Sequence, residues 1–139
     1  MRNLNFRVWD KHFKIMGDLV SIDFQEKWII AKVFNLVPDD GEWGMSFRNT
    51  EIMQSTGYTD ENGIEIYEGD ILKIVMDNFG SQDYILPIYW DELTCSLMID
   101  IPYEDWGSVC VGYLDDADIY EKFVIGNICE NPELLEKKE

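Results

Sequence analysis

The chain has 139 residues and a net charge of −17, from 28 Asp and Glu against 11 Lys and Arg. Its 46% hydrophobic content is enough for one folded domain without disulfide or metal staples, and it excludes a disordered chain despite the charge. So much negative charge repels phosphate backbones and anionic membranes, which disfavours direct nucleic-acid binding, and no apolar run nears the roughly 20 residues of a membrane helix.

Leu4, Phe6 and Val8 alternate with Asn5 and Arg7, the pattern of a half-buried strand, and Asp10-Lys11 begins a turn. Ile15–Phe24 and Lys27–Phe34 read as a pair of strands, after which Val37-Pro38-Asp39-Asp40-Gly41-Glu42 breaks the pattern as a loop. Further strands are expected over Ile71–Met76, Tyr84–Trp90, Thr94–Ile99 and Phe123–Ile128. Pro87 has no N–H to give to a ladder, so its strand belongs at a sheet edge or a bulge. Leu114–Lys122 fits either helix or strand. At the C-terminus Asn131 suits a helix cap, Pro132 the first helical position and Glu133 the first turn. The expected fold is all-β, a small barrel or sandwich with a short C-terminal helix, without internal repeats.

The segment "TGYTDENGIEIYEGDIL", residues 56–72, is the most punctuated of the chain. As a calcium loop with Gly63 at its sixth position it would have Asp60 and Asn62 in place, but Tyr58 and Gly69 where the first and twelfth ligands belong. Both anchors are missing. A two-residue Asn62-Gly63 turn would set Asp60 opposite Glu65, a like-charge pair. A three-residue loop avoids this, with Asp60 opening a type I turn, Glu61-Asn62 central and Gly63 left-handed. Tyr58 then faces Ile66. Tyr67-Glu68-Gly69-Asp70 next turns the chain into Ile71–Val75, and Asp70 there reads as punctuation rather than catalysis.

Three segments together resemble the YopX-like proteins of bacteriophages and prophages. They are "NFRVWDK" (Asn5–Lys11), "IMQSTGYTDENGIEIYEGDIL" (Ile52–Leu72) and "VIGNICENPELL" (Val124–Leu135). The sequence departs from the family pattern at Ser55 and Cys129, where an aromatic is usual, and at Tyr58, often Leu. The resemblance implies a single domain over 1–139, with an N-terminal β segment at about 1–50 packed against an SH3-type β-barrel at about 51–139. It also implies a phage or prophage setting in the host cytoplasm, and it carries no catalytic residue set. The structural motif residues are Gly57, Asp60, Asn62, Gly63, Tyr67, Gly69, Asp70, Gly126, Asn127, Asn131 and Pro132.

Residues able to do chemistry are sparse. Cys95, Cys110 and Cys129 are widely spaced, and the single histidine, His12, lies in a charged turn, so neither a zinc site nor a Cys–His pair is indicated. The odd thiols fit a reducing cytoplasm. Asp115-Asp116-Ala117-Asp118 offers oxygen ligands for a hard cation, or is simply solvated. No catalytic residue, metal or cofactor is expected. Trp43 and Trp106, in acidic turns, are candidate interface anchors, unless each folds back over an end of the barrel. The expected function is a non-enzymatic accessory protein that binds an unidentified protein partner or a second copy of itself. The alternative is an acidic DNA mimic that occupies a host nucleic-acid-binding protein.

Overall fold

A computed structural model describes residues 4–33, 41–76, 82–102, 107–111 and 121–136. Its strands are β1 Phe6–Asp10, β2 Ile15–Asp23, β3 Trp28–Lys32, β4 Glu42–Ser46, β5 Thr50–Thr59 and β6 Glu65–Tyr67. They continue as β7 Asp70–Met76, β8 Gln82–Pro87, β9 Tyr89–Asp91, β10 Ser96–Ile101, β11 Gly107–Cys110 and β12 Glu121–Asn127. The chain divides into two compact units, Met1–Ser55 and Thr56–Glu139. Among the described residues no helix is long and apolar enough to cross a membrane.

The first unit is an antiparallel sheet in the order β4-β3-β2-β1-β5. In β3, Ile29 and Ala31 are buried between exposed Trp28 and Lys32, the period-2 pattern of a strand with one covered face. Opposite them stand Met45 and Trp43 of β4. Val8 completes this core, with Leu19, Ile22 and Phe47 packed against it. Leu19 and Ile22 differ by three positions, so a regular strand would send them to opposite faces. A bulge between Leu19 and Ser21 corrects the phase and returns both to the core. On the other face, the indole edge of Trp28 occupies the space above Gly44, where a Cβ would stand 2.7 Å from Trp28 Cζ2.

In the second unit, β6 pairs with the end of β5, and two three-stranded sheets follow, in the orders β12-β7-β8 and β11-β10-β9. Ile66, Leu72, Ile74, Ile88, Ile99, Ile101 and Val111 form its core, with Tyr58, Tyr84, Leu86 and Val124 packed against them. The sequence pattern marks Tyr84–Trp90 as one strand, but it is two. Pro87 ends β8 at the edge of its sheet, as its missing N–H requires, and β9 starts at Tyr89 in the other sheet. Ile88, 1% exposed, carries the chain between them and exchanges backbone hydrogen bonds with Gly69 and Asp70.

The expectations for β1, β2, β3, β7, β10 and β12 correspond to observed strands, within two residues at most ends. The end of β5 and β6 are the arms of the expected hairpin, whereas β4, which starts at the last residue of the expected loop, the first part of β5 and β11 went unanticipated. Two expectations need correcting. The sheets close into no barrel among the described residues, since each three-stranded sheet has free edges. The C-terminal helix is only a 3-10 turn, Pro132–Leu135, and Asn131 makes no side-chain cap to it. Instead Asn131 Oδ1 turns back to accept from the Asn127 N–H at 3.3 Å. Leu114–Lys122 lies outside the described residues except for its last two positions, which open β12.

Candidate functional site

The hairpin between β5 and β6 has the three-residue loop that the charge argument favours. The Asp60 N–H donates to the Ile64 carbonyl at 2.8 Å, the Gly63 N–H to the Asp60 carbonyl at 3.0 Å, and Gly63 has φ +79°. Tyr58 packs against the core cluster to which Ile66 belongs, in keeping with that register. What sequence reasoning missed is the fate of the Asp60 carboxylate. It is buried, 6% exposed, and accepts three backbone N–H groups. Oδ1 takes those of Asn62 and Ile64, each at 2.9 Å, and Oδ2 takes that of Val124, also at 2.9 Å. Asp60 therefore ties the hairpin loop to β12, and the Glu61 N–H reinforces this by donating to the Lys122 carbonyl at 3.0 Å.

Gly69 and Asp70 form a second junction. Gly69 takes φ +85°, its N–H donates to Ile88, and its carbonyl accepts from Ile128. Asp70 is buried, and its Oδ2 accepts the Tyr67 N–H at 2.8 Å. The Tyr67 hydroxyl donates to Glu65 at 2.8 Å. Asn127 closes the far end of β12, its Oδ1 accepting from the N–H groups of Cys129 (3.0 Å) and Glu130 (2.8 Å). Gly126 gives room to the turn that follows, since a Cβ there would stand 2.6 Å from Asn131 Oδ1. Gly57, at φ +82°, has open space around it. Asp60, Gly63, Gly69, Asp70, Gly126 and Asn127 thus organise turns and junctions.

Trp43 is half-buried. Its indole N–H donates to Asp10 Oδ2 at 3.1 Å, and the Phe13 ring meets it edge to face at 5.3 Å. Asp10 Oδ1 accepts from the His12 and Phe13 N–H groups at 2.9 and 3.0 Å. Burial pushes the Asp10 carboxyl up, but the bonds from Phe13, Trp43 and His12, with the His12 charge, outweigh it and hold the group below its ordinary value. His12 stacks edge to face on Phe13 and is exposed. Trp106 and the Asp115–Asp118 cluster lie outside the described residues. Among the described residues no three His, Cys, Asp or Glu side chains are placed to hold a metal ion.

Two surface features of the second unit were not anticipated. On the β9-β10-β11 sheet, Asp100 Oδ1 accepts from the Tyr89 hydroxyl at 2.7 Å and from Ser108 at 2.5 Å. The contact with Ser108 works to lower the Tyr89 pKa. The Asp100 hydrogen bond, burial and the charges of Asp100 and Asp91 outweigh it and raise the phenol above 10.0. In this arrangement the Tyr89 hydroxyl is the donor and the Asp100 carboxylate the acceptor. Beside it, the β9–β10 tip exposes Trp90 (45%) and Leu93 (95%). Asp91 shapes that tip, accepting from the Leu93 N–H at 3.2 Å and the Thr94 hydroxyl at 2.9 Å. The only sequence signal for it was an Asp opening a short polar turn after aromatic residues.

Charge is divided unequally between the units. Residues 1–55 hold seven Lys and Arg against eight Asp and Glu, net −1, whereas residues 56–139 hold four against twenty, net −16. Residues 74–121 contain no Lys, Arg or His at all.

Comparison with known proteins gives a consistent picture. The family model described as YopX protein matches residues 5–136. Protein EF1440 from Enterococcus faecalis is similar in structure, with a TM-score of 0.66 and 27% identity, covering 98% of this chain and 100% of that one. Protein yopX from Bacillus subtilis shares the fold, with a TM-score of 0.64 and 23% identity, covering 95% of this chain and 98% of that one. No curated protein matches the chain.

Proposed function

The chain belongs to the YopX family, and on that premise we propose that it is a non-enzymatic protein-binding module whose second unit directs it to a basic partner. The observation that carries this reading is the charge division, −16 against −1. Solubility of a small domain needs a net charge of only about 2 to 8 in magnitude. Charge beyond that costs stability by self-repulsion, and an uneven distribution between two units of one chain has no solubility advantage. An acidic surface raises the encounter rate with a basic one and opposes association with a second copy of itself.

The same imbalance favours a narrower second reading, in which the basic partner is a nucleic-acid-binding protein that the chain occupies as an acidic mimic. On either reading the setting we propose is the cytoplasm of a host cell carrying a phage or prophage, in line with the family resemblance. For the fold, we propose that the two sheets of the second unit are arranged as in an SH3-type fold, open rather than closed into a barrel. What supports this is that both sheets contribute to one core and that Ile88 carries the chain directly from one to the other.

The test is capture of the tagged full chain from host cells at rising salt. A partner rich in Lys and Arg, retained near 50 mM and lost by about 300 mM, is the expected result, because exposed charge pairs are screened over a Debye length of about 10 Å at 0.1 M. Displacement of that partner by duplex DNA supports the mimic. A partner that is acidic, or retained regardless of salt, removes the electrostatic reading.

A further inference from the structure

We infer that the tip of the β9–β10 hairpin, Trp90 to Thr94, is the point at which the second unit docks on its basic partner. The inference rests on the protein-binding reading above and adds the surface and its chemistry. Leu93 is 95% exposed, more than any other large apolar side chain described, and Trp90 three positions before it is 45% exposed. Trp is the residue type most enriched where binding energy concentrates. Its ring face also accepts Lys or Arg by cation–π attraction.

The tip is held in shape before anything binds. Asp91 accepts from Leu93 and Thr94, the Cys95 thiol reaches the Glu92 carbonyl at 3.5 Å, and the Ser96 hydroxyl donates to the Thr94 carbonyl at 3.1 Å. Beneath it, Asp91, Trp90 and Tyr89 pair with Ser96, Leu97 and Met98, and β10 is anchored in the core by Ile99 and Ile101, both fully buried. A loop ordered in advance loses little conformational freedom on binding, so more of the contact energy appears as affinity.

Electrostatics selects the partner. Asp91 and Glu92 sit within the tip, and Asp100 lies along the same sheet. The tip falls in the middle of the 74–121 stretch that lacks any basic residue. The surface that fits it has an apolar notch for Leu93 bordered by Lys or Arg. The other conspicuous apolar tip, with Phe24 76% exposed, belongs to the nearly neutral first unit and has Lys27 three positions on and Arg48 next to Phe47, whose ring meets that of Phe24 edge to face, so charge selects no partner there.

The experiment places the photo-crosslinking amino acid p-benzoylphenylalanine at position 93 of the full chain, and separately at position 24, in host cells. The expected result is a discrete adduct from position 93 to a protein of basic composition, with none from position 24. Adding Glu92→Lys should cut its yield about tenfold, as reversing a rim charge slows encounter. Both sites are exposed, and a thermal melt confirms that each variant is folded. An adduct from position 24 alone leaves the protein-binding reading standing and overturns the hairpin assignment. An adduct from position 93 to a second copy of this chain, or to a protein without excess Lys and Arg, overturns the basic partner. Absence of adducts at both sites overturns this inference, and a blank affinity capture besides would overturn the broader reading too.

Discussion

Replacing Asp60 tests how the second unit is held together. Its carboxylate is 6% exposed and receives the N–H groups of Asn62, Ile64 and Val124, each at 2.9 Å. In Asp60→Ala the two loop amides can find water, a loss comparable to removing a helix N-cap, about 1 kcal/mol. The Val124 amide lies in a half-buried strand, and leaving it unsatisfied costs about 1–3 kcal/mol. The sum is about 2–4 kcal/mol. Asp60→Asn keeps the shape and one acceptor, but its NH2 must face one of the backbone donors, which costs about 1–3 kcal/mol. Asn62→Ala, whose side chain is exposed, is the control and should change stability by less than about 0.5 kcal/mol. Because the chain has two compact units, a single unfolding transition is not assured. The assay is therefore urea denaturation combined with amide hydrogen exchange at Val124 and Glu61, which reports on this junction locally. Asp60→Ala costing under about 1 kcal/mol, with unchanged exchange at Val124, would show that Asp60 only opens the turn.

Further outcomes follow from other contacts. Gly44→Ala puts a Cβ 2.7 Å from Trp28 Cζ2 and should cost about 1–3 kcal/mol by chemical denaturation, a loss that Trp28→Ala in the same chain should largely remove. The Asp10 carboxyl is held below its ordinary value when folded, so its stabilising effect is complete above the unfolded value near 3.8 and fades as pH falls through the folded one. The melting-temperature gap between the parent and Asp10→Asn should accordingly narrow from pH 6 to pH 2, and a gap that stays constant would refute that sign. Titrating Tyr89 by its phenolate absorbance should show a pKa above 10.0, raised further by Ser108→Ala and reduced by Asp100→Asn. A shift in the opposite sense for either variant would mean that the three hydroxyl and carboxyl groups do not meet in solution.

What could be read in advance was local. Gly63 had to be left-handed because of the residues within three positions of it, and the observed φ of +79° follows. Ile29 and Ala31 announced a strand because alternation is a nearest-neighbour signal. β4 and β5 did not, since Gly44 interrupts the one and Gln54-Ser55-Thr56-Gly57 dilutes the other with polar residues. Their strand state is set by pairing with β3 and β1, which single-chain periodicity does not contain. The same limit explains the tryptophans. Trp43 and Trp90 both stand beside an acid in sequence, yet Trp43 turns inward because Asp10, 33 residues earlier, takes its N–H. The role of Asp60 was hidden for the same reason, since its partner Val124 lies 64 positions away. The family motif was legible as sequence, whereas the exposed tip at Leu93 was not, because exposure is a property of everything packed around a residue.

The central claim is that the acidic second unit, rather than the chain's total charge, directs binding. It is tested most directly by capturing the partner from host cells with two charge-matched triple variants of the full chain. One carries Glu61→Lys, Glu92→Lys and Glu121→Lys in the second unit, and the other Asp18→Lys, Glu26→Lys and Glu51→Lys in the first, all at exposed positions. Both raise the net charge equally. The second-unit variant should retain about tenfold less partner, or lose it altogether, while the first-unit variant binds nearly as the parent does. Equal loss from both variants, or undiminished capture by the second-unit variant, would contradict the account.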